Sequence, residues 1–298
     1  MKRNLVLTTV RGLSPAQMAP FVCSFELFQK DADLIVFTSH LSADTRAFLS
    51  KSATELVNFN YLSIRMRHPQ CLLWPLWKRV FPLLKSERSR RALARCIFNL
   101  FFLRSLLYLD YIESLAEKPR WILLTDSRDA IFQDDVFARI EAPGLYCFGE
   151  GKGLTIASCR ANSHMVLKCF GEQGLKEVGH FEPSCAGTVL GDYESIHAYL
   201  QNMVDYAMTI HTMKMVPGDD QGLHNYIIRK ELTPNIKLVD NDTGPIGTMG
   251  CVPYKNIRVS PEHLILQGDG KPYAFLHQQD RHKEIVANHP VYKKLRTS

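Results

Sequence analysis

No apolar run in this chain approaches the roughly 20 residues that cross a bilayer as a helix. The longest, residues 96–103, contains Asn99 and stops at Arg104. The opening MKRNLVLTTVRG lacks the stretch of about 7–15 apolar residues and the small-residue cleavage site of a secretory leader. The expectation is therefore a soluble, cytoplasmic protein, free or peripheral to a membrane. Low-complexity runs and internal repeats are also missing, which excludes disordered and solenoid classes. The eight cysteines (Cys23, Cys71, Cys96, Cys147, Cys159, Cys169, Cys185 and Cys251) form no CxxC pair. Without ligand spacing there is no zinc site to argue for. Most of them lie in apolar stretches, so buried free thiols in a reducing compartment are expected. The 15 prolines and 17 glycines never gather into a linker, and residues 1–298 are expected to form one domain.

Charge is present but unevenly placed. The net charge is +6. Residues 65–104 hold ten lysines and arginines against one acid, Glu87, so this segment carries +9 and the rest of the chain −3. A concentrated basic region points to an anionic partner: a nucleoside diphosphate, an anionic lipid surface or a nucleic acid. No nucleic-acid-binding motif accompanies it, so nucleic acid is not expected. Lys78, Arg79, Arg88, Arg90, Arg91 and Arg95 are interleaved with Trp74, Trp77 and Phe81, a combination suited to a membrane surface.

Hydrophobic patterning predicts buried strands at residues 4–10, 33–38, 56–59, 121–125, 145–149 and 187–190. Helices are predicted at about 15–30, 44–51, 89–118, 162–170, 193–207 and 219–230, and two short strands at 264–267 and 273–277. Strand–helix alternation of this kind indicates an α/β fold, a Rossmann-like, mostly parallel central sheet with helices on both faces. Ser14-Pro15-Ala16-Gln17 reads as a capping box with proline at the first helical position, and Asp192 as a helix cap. In the 89–118 helix, Arg104 falls in phase with the apolar stripe. An unpaired buried charge costs several kcal/mol, so Arg104 must meet either a core carboxylate or a phosphate.

Four polar clusters sit at strand ends or helix starts, where open α/β sheets place their ligands. They are residues 126–129 (DSRD), 183–188 (PSCAGT), 218–221 (GDDQ) with Asn225, and 277–282 (HQQDRH). Divalent cations on phosphate substrates take only one or two protein carboxylates. Asp129 with His277 would suit Mn²⁺ or Mg²⁺, the imidazole favouring the softer Mn²⁺. Taken singly, Asp126 and Asp129 read equally as loop acids pairing with Arg128, and His277 as a satisfied core histidine.

Taken together and in order, the clusters resemble the nucleotide-sugar-dependent glycosyltransferases of the GT-A fold. LLTDSRDAIFQDDVF is similar to a metal-binding loop of the form T-D-x-R-D-x-x-F-Q. SCAGTVLG, GDDQGLHNYII and GDGKPYAFLHQQDRH resemble the S-C-[SA]-G, D-Q-x-x-x-N and terminal HQxDRH segments of the same set. The matches span about residues 4–292; the departure is a D-x-x-D spacing in place of strict D-x-D. The resemblance implies a GT-A-like domain with a nucleotide-binding half, about 1–130, and an acceptor-side half, about 131–298. It implies a divalent cation held by Asp126, Asp129 and His277. A nucleotide-diphosphate sugar would rest against Thr8, Thr9, Val10, Arg104, Asp126, Arg128, Gly187 and Thr188. Asp219 and Asp220 would serve as the catalytic carboxylates, and the acceptor would be a glycan or lipid-linked glycan. Two alternatives stand beside it. A sugar-phosphate nucleotidyltransferase shares the sheet and the metal, but its Gly-rich loop is replaced here by TTVRGLSPAQ, with one glycine. The other is a basic membrane-surface protein without catalysis.

Overall fold

The computed structural model describes residues 3–60, 73–151, 153–211 and 219–297. Of the basic segment, Arg65 and Arg67 lie outside the described residues, as do Cys71 and Gly218. The strands are Asn4–Arg11 (β1), Ala32–Ser39 (β2), Glu55–Asn58 (β3), Trp121–Thr125 (β4), Ala130–Phe132 (β5), Leu145–Gly149 (β6), Ser184–Asp192 (β7), Ile236–Val239 (β8), Ile246–Thr248 (β9), Arg258–Val259 (β10), Ile265–Leu266 (β11) and Phe275–His277 (β12). The helices are Pro15–Phe28 (α1), Ala43–Ser52 (α2), Trp74–Val80 (α3), Glu87–Ile97 (α4), Leu100–Ser114 (α5), Arg160–Val178 (α6), Tyr193–Ala207 (α7) and Asp219–Arg229 (α8), and two short helices follow β12.

Seven strands form the main sheet in the order β3-β2-β1-β4-β7-β6-β8. The first four run parallel. β7 is antiparallel to both β4 and β6, and β8 is again parallel to β6. The sheet is thus mixed, not mostly parallel. Burial patterning could not reveal this, because a strand covered on both faces is a continuous apolar run in either direction.

Side-chain alternation along β1 feeds two cores. Leu5 and Leu7 pack with Phe102, Leu106 and Tyr199 from α5 and α7. Val6 and Val10 pack with Met18, Phe21 and Phe25 from α1 on the opposite face. Helices therefore cover both faces. The expected capping box at Ser14 and Gln17 and the Asp192 cap are both present.

The expected single helix over 89–118 is two. Phe98 leaves the helical region (φ −65°, ψ 140°), and the buried Asn99 side chain accepts from Phe102 N at 3.1 Å to start α5 afresh. A local cap outcompetes the continuous apolar stripe because it satisfies an otherwise orphaned N–H. α6 is likewise interrupted, at Gly171 (φ 68°).

A second sheet, β5-β12-β9, carries the geometry of the site. β12 pairs antiparallel with β5, Ala130 standing opposite His277, and parallel with β9. Three-residue strands are too short to show periodicity, so β5 and β9 were not foreseen. Among the described cysteines only Cys147, Cys169 and Cys185 are buried; Cys96 and Cys251 are exposed. The expectation of mostly buried thiols is corrected to that extent.

Candidate functional site

β4 delivers Asp126 to the carboxyl edge of the sheet, where its N–H donates to Gly187 O at 2.9 Å across the β4–β7 pair. The chain then turns through Ser127 and Arg128 into β5, placing Asp129 immediately before the residue that pairs with His277. Two unrelated strand pairings thus bring an early loop and the far end of the chain together.

His277 is buried, and its Nε2 lies 3.6 Å from Asp126 Oδ2 and 3.6 Å from Asp129 Oδ1. Both separations exceed hydrogen-bonding distance, and Nε2 is buried with no hydrogen-bond partner. One ligand atom from each of Asp126, Asp129 and His277 falls within 4.8 Å of the others. The other ring nitrogen, Nδ1, is 3.3 Å from Cys185 Sγ. Gly187 forms the floor: a Cβ there would stand 2.5 Å from His277 Cε1 and 2.8 Å from Asp126 Oδ2. An orphaned imidazole nitrogen, two flanking carboxylates and a floor without a side chain suit a divalent cation of the oxygen- and nitrogen-seeking kind. Asp126, Asp129 and His277 are the residues that would hold it.

Electrostatics sharpen this description. Burial raises the Asp129 carboxyl above its ordinary range, only partly offset by His277. For Asp126 burial acts in the same sense, but the Arg104 guanidinium and His277 prevail and hold it below the usual carboxylate range. Burial disfavours the His277 imidazolium, yet the Cys185 sulfur and Asp126 outweigh it, and its pKa lies well above the ordinary value. A cation in the cradle would displace that proton, since a metal needs the neutral ring.

Arg104 settles between two carboxylates. It donates to Asp126 Oδ1 at 2.5 Å and to Asp220 Oδ2. The counter-charge that its helix phase calls for is thus present, Asp220 buried and Asp126 at the cavity wall. Arg128 is about half exposed and spans Asp129 and Asp280 at 3.4 Å each.

The cradle opens into a cavity of about 640 Å³. Thr9, Arg104, Asp126, Arg128, Asp129, Gly187, Asp220 and His277 all line it. Thr8, Val10, Thr188 and Asp219 do not. Thr8 and Val10 are fully buried, because alternation along β1 turns Thr9, of the three, to the open side. Thr188 is buried opposite Thr125, and Asp219 faces Lys168 at 3.4 Å. Gln221 and Asn225 are buried and do structural work. Gln221 Nε2 donates to Ser184 O at 2.7 Å while its Oε1 accepts from Ala186 N at 2.7 Å. Asn225 accepts from Ser184 N at 2.8 Å and donates to Ser184 O at 2.9 Å. Together they fasten the strand that carries Cys185 and Gly187.

Of the four carboxylates that line the cavity, Asp126, Asp129, Glu150 and Asp220, one has no place in the sequence reading. Glu150 follows β6, is 7% exposed, and accepts from Asn162 Nδ2 at 2.9 Å and Gln221 Nε2 at 3.0 Å. Burial raises its pKa. The only sequence signal was an acid directly after the strand YCFG, the same signal that marked Asp126. No family model and no curated protein matches this chain.

Proposed function

We propose that the chain is a divalent-metal-dependent glycosyltransferase of GT-A-like architecture, moving a sugar from a nucleotide-diphosphate sugar to a hydroxyl of a glycan or lipid-linked acceptor. The observation that carries the reading is His277 Nε2, buried without a hydrogen-bond partner and 3.6 Å from each of the Asp126 and Asp129 carboxylates, above the bare Gly187. Support also comes from convergence: all four motif stretches, distant in sequence, contribute to one cavity of a size usual for small-molecule sites.

In this reading Mn²⁺ or Mg²⁺, when bound, offsets the negative charge that builds on the departing diphosphate. The chain's own residues do the remainder. Asp126, Asp129 and His277 hold the cation. Arg104 balances Asp126 and Asp220 and keeps the Asp126 carboxylate oriented. Arg128 and Arg281, the more open cations of the cavity, meet phosphate oxygens, and Thr9 lies against the nucleoside. Asp220 is committed to Arg104 and Asp219 to Lys168. Glu150, held by neutral amides, is the carboxylate left to receive the acceptor's hydroxyl proton, and burial, which raises its pKa, makes it the stronger base.

The test is a thermal-shift screen with UDP, GDP, CMP and their sugars, with and without Mn²⁺. A bound nucleotide raises the melting temperature by mass action. Stabilisation that requires both Mn²⁺ and one nucleotide, and that disappears in Asp129→Ala, is the expected result. Equal shifts in Asp129→Ala or in EDTA would sink the metal role.

A further inference from the structure

Large apolar side chains are exposed at seven of the described positions, and three of these, Leu73, Leu76 and Leu83, fall within eleven residues (45%, 53% and 75% exposed). Scattered singly, exposed leucines need no explanation; a cluster does. The aromatic residues of the same segment are turned the other way. Trp74 and Phe81 are buried in the main core, with Trp77 packed against it, and Trp74 Nε1 donates to Ile210 O at 2.9 Å. The segment is therefore amphipathic in the sense opposite to its sequence: tryptophan and phenylalanine anchor it inward and leucine faces out.

The charges around the leucines are of one sign. Arg79, Lys85 and Arg88 are exposed between and beside them. The one acid, Glu87, is taken by Arg91, which also binds Asp110 and Glu113, while Arg95 binds Asp110. The internal pairs thus use up the negative charge and leave the outer face cationic. Leucines beside unpaired cations match the boundary between headgroups and acyl chains of a bilayer, where the apolar side chains insert and the cations lie among phosphates. A nucleic acid would match the charge but leave the leucines in water.

We propose that residues 73–90 form a docking surface for an anionic bilayer, with Leu73, Leu76 and Leu83 inserted and Arg79, Lys85 and Arg88 on acidic headgroups. This surface is independent of the transferase reading. The experiment is co-sedimentation of the full chain with vesicles of phosphatidylcholine alone and of phosphatidylcholine mixed with phosphatidylglycerol, at low and high salt. Two double variants, Leu76→Ser with Leu83→Ser and Lys85→Glu with Arg88→Glu, change only exposed side chains and leave the core intact. The expected result is binding to the anionic vesicles alone, weakened by salt and weakened about tenfold or more by either variant. Four results would each overturn the proposal. They are no binding to anionic vesicles at low salt, equal binding to neutral vesicles, binding unaffected by both variants, and sedimentation without vesicles, which would mean that a second copy covers the leucines.

Discussion

Gly187 has no side chain because its place is taken. Its missing Cβ marks the point where the antiparallel β4–β7 pair, the Asp126 carboxylate and the His277 ring converge. Contacts under 3 Å to two side chains cannot be absorbed without moving them, so Gly187→Ala should displace His277 or Asp126. We expect this variant to fold, with a melting temperature a few degrees lower, and to lose the Mn²⁺-dependent thermal shift; retention of the full shift would refute the cradle. Arg104 shows the limit of residue-level reading. Its phase on the helix called for a counter-charge, but only the position of α8 decided that Asp220 joins Asp126 around it. Glu150 escaped because one acid after a strand is unremarkable until Asn162 and Gln221 are seen to hold it.

At the scale of elements, α8 and β7 form one unit. Asn225 is fully buried and satisfies both backbone groups of Ser184, while Gln221, a turn earlier, donates to Ser184 O and accepts from Ala186 N. The Asn225→Ala change leaves the buried Ser184 N–H without its acceptor, a loss of about 1–3 kcal/mol. A lower urea midpoint with an unchanged m-value checks it. Because this strand carries Cys185 and Gly187, the variant should also weaken Mn²⁺ binding. The elements themselves were largely legible, since strands buried on both faces and capped helices have local signatures. The break between α4 and α5 was not, because Asn99 sits within an otherwise continuous helical pattern.

For the whole molecule, acid stability depends on buried groups. His224 and His289 are buried and neutral, and burial lowers their pKa values to about 3 and about 4. Below the unfolded value near 6.5 the unfolded chain binds protons that these rings refuse. Their contribution is therefore complete above about pH 6.5 and is lost as pH falls towards the folded values, at up to roughly 1.4 kcal/mol per pH unit each. The carboxyls of Asp129, Asp220 and Glu150, with raised pKa values, act in the opposite sense. The histidine effect is thus read by difference: His289→Gln should flatten the fall in unfolding free energy between pH 6.5 and 4 relative to the unaltered chain. An unchanged slope would mean that His289 titrates normally. Among the described residues, no helix is long and apolar enough to cross a membrane.

The order of residues alone determined the longer strands and helices, and which polar residues stand at their ends, because burial periodicity and capping are interactions within a few residues. Tertiary structure decided the antiparallel direction of β7, the register that sets Ala130 opposite His277, the two partners of Arg104 and the outward turn of the leucines near Trp74. Each of those depends on contacts between segments far apart in the chain, whose relative direction and register no local pattern encodes.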